Sequence, residues 1–318
     1  MWRLVGHDWA VDILARALAA ERLAHAYLFT GEAQIGKRTL ALEFAGALNC
    51  QAEDVPCGEC RACRATAEGN HPDVILIDGQ NKIKIEQIRD LQRQLALSPY
   101  EGKFKVCIIT DLHLASTEAA NALLKTLEEP PSRVVLLLTA ISTEALLPTV
   151  VSRCQVMALR PLASELVINH LVTHEGQTPE RAAEISRWAS GQIGWAIQAA
   201  RDASLVDEKA RRASSLAELL SMPRYAQIRA AEQLAKRDDL RQTLELWQLW
   251  WRDVLLTATG HEALVMNVGQ TTALRQNARL SGEAGAAQAY RAVSDALIMI
   301  DQNVNPRLAL EALMLAWD

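Results

Sequence analysis

Four cysteines, Cys50, Cys57, Cys60 and Cys63, stand at the spacing C-x6-C-x2-C-x2-C. A two-residue knuckle brings a pair of thiolates to one metal ion without strain, and tetrahedral zinc takes four such ligands at about 2.3 Å. Four protein thiolates leave no coordination position for water, so a Zn2+ ion here would be structural and not catalytic. The alternatives are two disulfides or four unligated thiols, and a reducing compartment disfavours the first. His71 could replace one ligand, but a closed four-cysteine site leaves it surplus, and Pro72 beside it points to a turn. Between Cys50 and Cys63 there is one basic residue, Arg61, and no aromatic. That argues against a DNA-reading zinc module and for a brace or a subunit contact. Read as an isolated loop, the segment is expected to lack a core of its own. A bound metal, worth on the order of 10 kcal/mol in zinc-finger peptides, would then stabilise it.

A second constellation is Gly31-Glu32-Ala33-Gln34-Ile35-Gly36-Lys37, a G-x4-G-K phosphate loop. The apolar run before it and the helical pattern after it are the context this motif requires, with backbone N–H groups converging on phosphate oxygens and Lys37 reaching the β- and γ-phosphates. Arg38 occupies the place of the hydroxyl that would ligate Mg2+. Thr39 follows, but a helix turns about 100° per residue, so its hydroxyl faces elsewhere. Lys105–Thr110 is an apolar run leading to Asp111, which could hold a metal, but Leu112 stands where a second carboxylate would polarise water. Phosphoryl transfer depends on positioning and charge at the metal and the water, so losing both groups should cut turnover by orders of magnitude. The loop reads as inherited and disarmed. Binding of ATP or Mg2+ through Gly31, Gly36, Lys37, Thr39 and Asp111 is left open by these residues.

The elements that position these groups follow from periodicity. Strands are predicted over His25–Thr30, Val74–Asp78, Lys105–Thr110, Val134–Thr139 and Gln155–Leu159, alternating with helices near Asp8–Ala20, Lys37–Asn49, Lys84–Leu97 and Ser116–Glu128. This is the pattern of a parallel sheet with crossover helices. Ile85, Ile88, Leu91 and Leu95 share a helix face, and Ser116 is placed as an N-cap. Cys107 falls mid-strand as a small buried hydrophobe. After Pro161 the strand signals stop. A small helical unit over 162–200 and a polar stretch, Arg201–Arg212, precede an Ala- and Leu-rich helical remainder. There Leu246, Trp247, Trp250 and Val254 form a stripe, and Asn305-Pro306 reads as a cap followed by proline at the first helical position. Tryptophans at that spacing are expected in a core or interface, in preference to a base-stacking platform.

The chain has 318 residues, half of them apolar and 22% charged, enough to bury cores in two or three domains. No apolar stretch approaches the ~20 residues of a membrane span, and the N-terminus lacks an export signal, so a cytoplasmic location is expected. A net charge of −5 excludes a chain that coats nucleic acid, leaving only local DNA contact.

Together these segments resemble the bacterial replicative clamp loaders, AAA+ assemblies that place the sliding clamp on primed DNA. The likeness is carried by His25-Ala26-Tyr27-Leu28-Phe29-Thr30-Gly31, by the four-cysteine module after Leu48-Asn49, by Asn121 through Pro130 (NALLKTLEEP) and by Ser152-Arg153-Cys154. It runs through residues 1–200 and thins in the last third, where Asn305 through Leu313 still matches. The resemblance implies a RecA-like AAA+ domain over 1–160 with the zinc module inserted at 50–63, a three-helix lid over 161–205 and an all-α collar over 206–318. Within the family, ATP-hydrolysing motor subunits keep the hydroxyl, the acidic pair and a lid arginine. This chain has Arg38, Leu112 and, by alignment, Gly194 beside Trp195, so it resembles the non-hydrolysing branch, with a motor subunit as the alternative. Thr139, at the sensor 1 position, is expected to be vestigial. The implied partners are the gamma/tau motor subunits, the delta subunit, the sliding clamp and, through the assembled ring, primer–template DNA. The implied role of Arg153 is an arginine finger supplied to a neighbouring motor subunit, with Ser152 and Cys154 shaping its loop.

Overall fold

The computed structural model describes residues 2–79, 82–237, 239–266, 270–302 and 304–317. The chain divides into two compact units, Met1–Ala182 with Ala189–Ile197, and Ala183–Trp188 with Gln198–Asp318.

The first unit is built on five parallel strands, β1 (Ala26–Thr30), β2 (Val74–Ile77), β3 (Lys105–Ile109), β4 (Val134–Ala140) and β5 (Gln155–Ala158), in the order β2-β3-β4-β1-β5. Strand side chains alternate between two cores. Tyr27, Phe29, Val106, Ile108, Val135 and Leu137 pack with α1 (Asp8–Ala19) and α2 (Lys37–Asn49). Leu28, Cys107, Ile109, Leu136 and Leu138 pack on the other side with α4 (Ile85–Leu95) and α5 (Thr117–Glu128). The predicted apolar face of α4 is buried at Ile88, Leu91 and Leu95. Ser116 caps α5 by accepting the Ala119 N–H at 3.1 Å. Cys107 is fully buried, and burial pushes its thiol pKa far up.

Two short helices escaped the sequence reading, α3 (Arg61–Ala67) inside the cysteine segment and α6 (Pro148–Val151) before Arg153. Helices α7 (Ser164–His174), α8 (Pro179–Ala189) and α9 (Ile193–Arg201) follow, with no strand after β5 among the described residues.

The second unit is helical, with α10 (Ser204–Ser221), α11 (Arg224–Leu234), α12 (Leu240–Ala258), α13 (Thr271–Asp301, interrupted at Gly282) and α14 (Pro306–Leu315). The polar stretch at 201–212 spans the end of α9 and the start of α10, whose buried stripe Val206, Ala213, Leu216 and Leu219 lies hidden among charges. Leu246, Trp247, Trp250, Trp251 and Val254 are all buried, and all but Leu246 belong to the main core, so bases could not stack on these rings. Asn305 caps α14 through the Arg307 N–H at 3.0 Å.

At the edge of the sheet where strands begin, the buried Asp73 carboxylate accepts N–H groups from Tyr100 (2.6 Å), Glu101 (2.9 Å) and Gly102 (2.8 Å). Burial opposes its charge, but these donors and the nearby His71 outweigh it and hold the carboxyl below the usual aspartate range. Asp73→Ala is expected to destabilise the first unit by about 3 kcal/mol at neutral pH, measured by urea denaturation. Because the folded pKa is depressed, this contribution is complete above the unfolded value near ~4 and is lost as pH falls through the folded one. The gap between wild type and variant should therefore close in acid. Equal midpoints at pH 7 would contradict the assignment.

Candidate functional site

A parallel sheet brings the carboxyl ends of its strands to one edge. The loops after β1, β3 and β4 meet at this edge. Gly31 follows β1 with φ 142° and donates its N–H to Ile141 O after β4 (3.1 Å). Gly36 caps α2 at φ 113°, a conformation that favours glycine.

The interior of the phosphate loop is occupied by its own lysine. Lys37 Nζ donates to Gly31 O and Glu32 O, each at 2.6 Å, and the residue is buried. Burial lowers its pKa, opposed by the charges of Asp111 and Glu32. Arg38 runs outward to Asp78 (3.3 Å), and Thr39 is exposed on α2. Asp111 adopts a left-handed conformation (φ 47°) and gives its N–H to Thr139 Oγ1 at 2.9 Å, while Leu112 is buried. Thr139 thus ties the ends of β3 and β4 together.

The segment before and at the start of α9 closes over this loop. Gly194 N–H donates to Gln34 O at 2.8 Å, and Gln192 Nε2 reaches Glu32 Oε2 at 3.2 Å. A Cβ on Gly194 would stand 2.8 Å from Gln34 O, so this approach requires glycine. No sequence periodicity links Gly194 to Gln34, and only the alignment of the lid drew attention to the position.

At the opposite edge of the sheet, α2 ends and the cysteine cluster begins. The Sγ atoms lie within 4.8 Å of one another, with Cys50–Cys57 at 3.6 Å, Cys50–Cys60 at 3.9 Å and Cys57–Cys63 at 3.9 Å. Four sulfurs at about 2.3 Å from a central zinc stand about 3.8 Å apart, so the set fits a tetrahedral ion. Sulfurs bonded as disulfides lie at about 2.05 Å, and all six cysteines are free, which removes the disulfide alternative. Backbone N–H groups of Cys57, Cys60 and Cys63 point at the sulfurs of Cys50 (3.5 Å), Cys57 (3.3 Å) and Cys60 (3.5 Å). Burial pushes the Cys63 thiol up to about 12. Burial acts the same way on Cys60, but the Gln51 and Cys63 N–H groups and neighbouring thiols outweigh it and bring that thiol down to about 6. A divalent ion would let all four ionise together.

The segment is no coreless loop. Helix α3 starts at the last knuckle, packs on α2 and buries Ala62, Cys63 and Thr66. The alanine-rich run RACRATA was the available signal. His71 stands outside the cluster. Its Nδ1 accepts the Asp73 N–H at 3.1 Å, which leaves the ring proton on Nε2, 4.0 Å from Glu101.

Arg153 lies just past α6, whose Val150 and Val151, with Cys154, pack into the core shared by α4 and α5. Burial raises the Cys154 thiol to about 12, which marks it as a packing residue. The Arg153 side chain is one-third exposed and bonds Thr149 O at 2.9 Å, Ser152 Oγ at 3.3 Å and Glu128 Oε1 at 2.7 Å.

The chain is similar in sequence to subunits of DNA polymerase III. The family model described as "DNA polymerase III, delta subunit" matches residues 6–163. DNA polymerase III subunit tau/gamma of Haemophilus influenzae is 41% identical over 170 residues, 53% of this chain and 25% of that protein. Subunit tau of Escherichia coli is 36% identical over 197 residues, 60% of this chain and 31% of that protein. The chain thus spans only about a quarter to a third of these relatives. Subunit delta' of Bacillus subtilis is 28% identical over 313 residues, covering 96% of this chain and 94% of that one. A gamma subunit-related protein from Thermotoga maritima aligns with TM-score 0.45 at 20% identity, covering 96% and 98% of the two chains. Residues 6–163 thus match the DNA polymerase III delta subunit family, and the likeness to a delta' subunit runs over nearly the whole chain. No helix among the described residues is long and apolar enough to cross a membrane.

Proposed function

We propose that this chain is a delta-prime-type subunit of the replicative clamp loader, a non-hydrolysing member of the ring that supplies Arg153 to the ATP site of a neighbouring motor subunit. The observation that carries this reading is the placement of two side chains at the phosphate loop and after β3, where Arg38 runs outward to Asp78 and Leu112 is buried. With Arg38 and Leu112 at the two positions that hydrolysis needs, the chain's own site is idle. Its contribution to ATP turnover must then come from a group that faces outward. Arg153 is such a group, and a guanidinium stays charged and can fork to phosphate oxygens. The near full-length likeness to a delta' subunit supports the same choice over a motor subunit.

On this reading residues 1–160, 161–205 and 206–318 act as AAA+ domain, lid and collar. The collar contacts motor and delta subunits, and the assembled ring engages the sliding clamp and primer–template DNA. Cys50, Cys57, Cys60 and Cys63 hold a structural zinc ion that braces the start of α3 against α2. Reconstitution tests the assignment. Purified motor and delta subunits should load clamps onto primed DNA efficiently only when this chain is added, and the chain alone should hydrolyse no ATP. Loading that is indifferent to the chain, or robust hydrolysis by the chain alone, would sink it.

A further inference from the structure

Arginine has five N–H donors, and an exposed arginine ordinarily samples many rotamers. Arg153 does not. Its Nη1 donates to Thr149 O at 2.9 Å and to Ser152 Oγ at 3.3 Å, and its Nη2 to Glu128 Oε1 at 2.7 Å. Three donors are engaged, which leaves Nε–H and one Nη2–H for another acceptor.

Both ends of the ion pair stand on rigid ground. Glu128 is the last residue of α5, anchored by Ala119, Leu123 and Leu127, and Arg153 leaves a turn anchored by Val150 and Cys154 in the same core. Ser152 N–H, Arg153 N–H and Cys154 N–H each bond back to α6 carbonyls at 2.9–3.2 Å, so the backbone is fixed as well. An ion pair this exposed adds little to stability, which makes fold maintenance a poor account of it. Fixing a long side chain in one orientation before it meets its target is what such a pair can do.

We propose that Glu128 is a positioning residue for Arg153. Together with Thr149 O it orients the guanidinium so that the two remaining donors are presented to a phosphate of the neighbouring subunit's nucleotide. This rests on the reading of Arg153 given above. Glu128 touches neither nucleotide nor water and acts only through the arginine.

The test uses the reconstituted loader with unmodified motor subunits, carrying Glu128→Ala, Glu128→Gln, Arg153→Ala or the double variant. Clamp- and DNA-stimulated ATP hydrolysis is resolved into kcat and KM, and thermal unfolding of each variant is recorded. Glu128→Ala should lower kcat about tenfold with KM for ATP and the melting midpoint unchanged. Glu128→Gln, which keeps an acceptor oxygen, should recover part of the loss, and the double variant should be no slower than Arg153→Ala alone. An unchanged or raised kcat in Glu128→Ala beside an impaired Arg153→Ala overturns the positioning role and leaves the finger standing. So does a double variant slower than Arg153→Ala, because Glu128 would then act independently. Full activity in Arg153→Ala removes both ideas at once.

Discussion

Stripping the metal from a zinc-loaded preparation, or replacing Cys57 and Cys60 together by serine, is expected to lower the melting midpoint of the first unit by about 10 °C. The effect should fall short of complete unfolding, in contrast to an isolated zinc finger. Helix α3 packs on α2 with Ala62 and Thr66 buried, and the two cores of the sheet are built from residues outside the module. A bound zinc ion would hold Cys57 and Cys60 against Cys50 and Cys63, where four adjacent sulfurs would otherwise repel one another or stay protonated. Hydrogen exchange should therefore accelerate first over the knuckles and the start of α3, with β1 and β4 protected. Elemental analysis should find one zinc per chain. A chain that carries no metal as purified and melts at the same temperature after chelation would show that the cluster is a set of packed thiols.

How much of this was legible beforehand depended on how far apart the cooperating residues lie. Strands buried on both faces read as continuous apolar runs, and Val134–Ala140, buried at all seven positions, is the clearest case. Local capping chemistry was equally readable, as at Ser116 and Asn305. The four cysteines announced their cluster because ligand spacing is itself the signal. Helix α3 was obscured by those same cysteines, and α6, four residues long, is too short for any periodicity to appear. The polar start of α10 concealed a buried stripe because its charges outnumber its apolar residues. Least legible were the long-range contacts on which the proposals rest. The pairing of Glu128 with Arg153 and the seating of Gly194 on Gln34 are tertiary facts with no local pattern.

The second large effect concerns Arg153, whose substitution by alanine should leave folding and ring assembly intact, since its partners are one exposed carboxylate, one hydroxyl and one helix-end carbonyl. A finger supplied in trans is worth about 10³–10⁵ in rate at the site it serves. Arg153→Lys should recover little, because an ammonium cannot fork to two oxygens while keeping its bonds to Thr149 and Glu128.

The most direct measurement is pre-steady-state phosphate release from the reconstituted loader, stimulated by clamp and primed DNA, with wild-type and Arg153→Ala chains compared after assembly is verified by gel filtration. An idle subunit that acts on its neighbour predicts the loss of one site's share of the burst and stalled clamp loading. A burst of full amplitude and rate, with loading unimpaired, would contradict that prediction and reduce the chain to a scaffold.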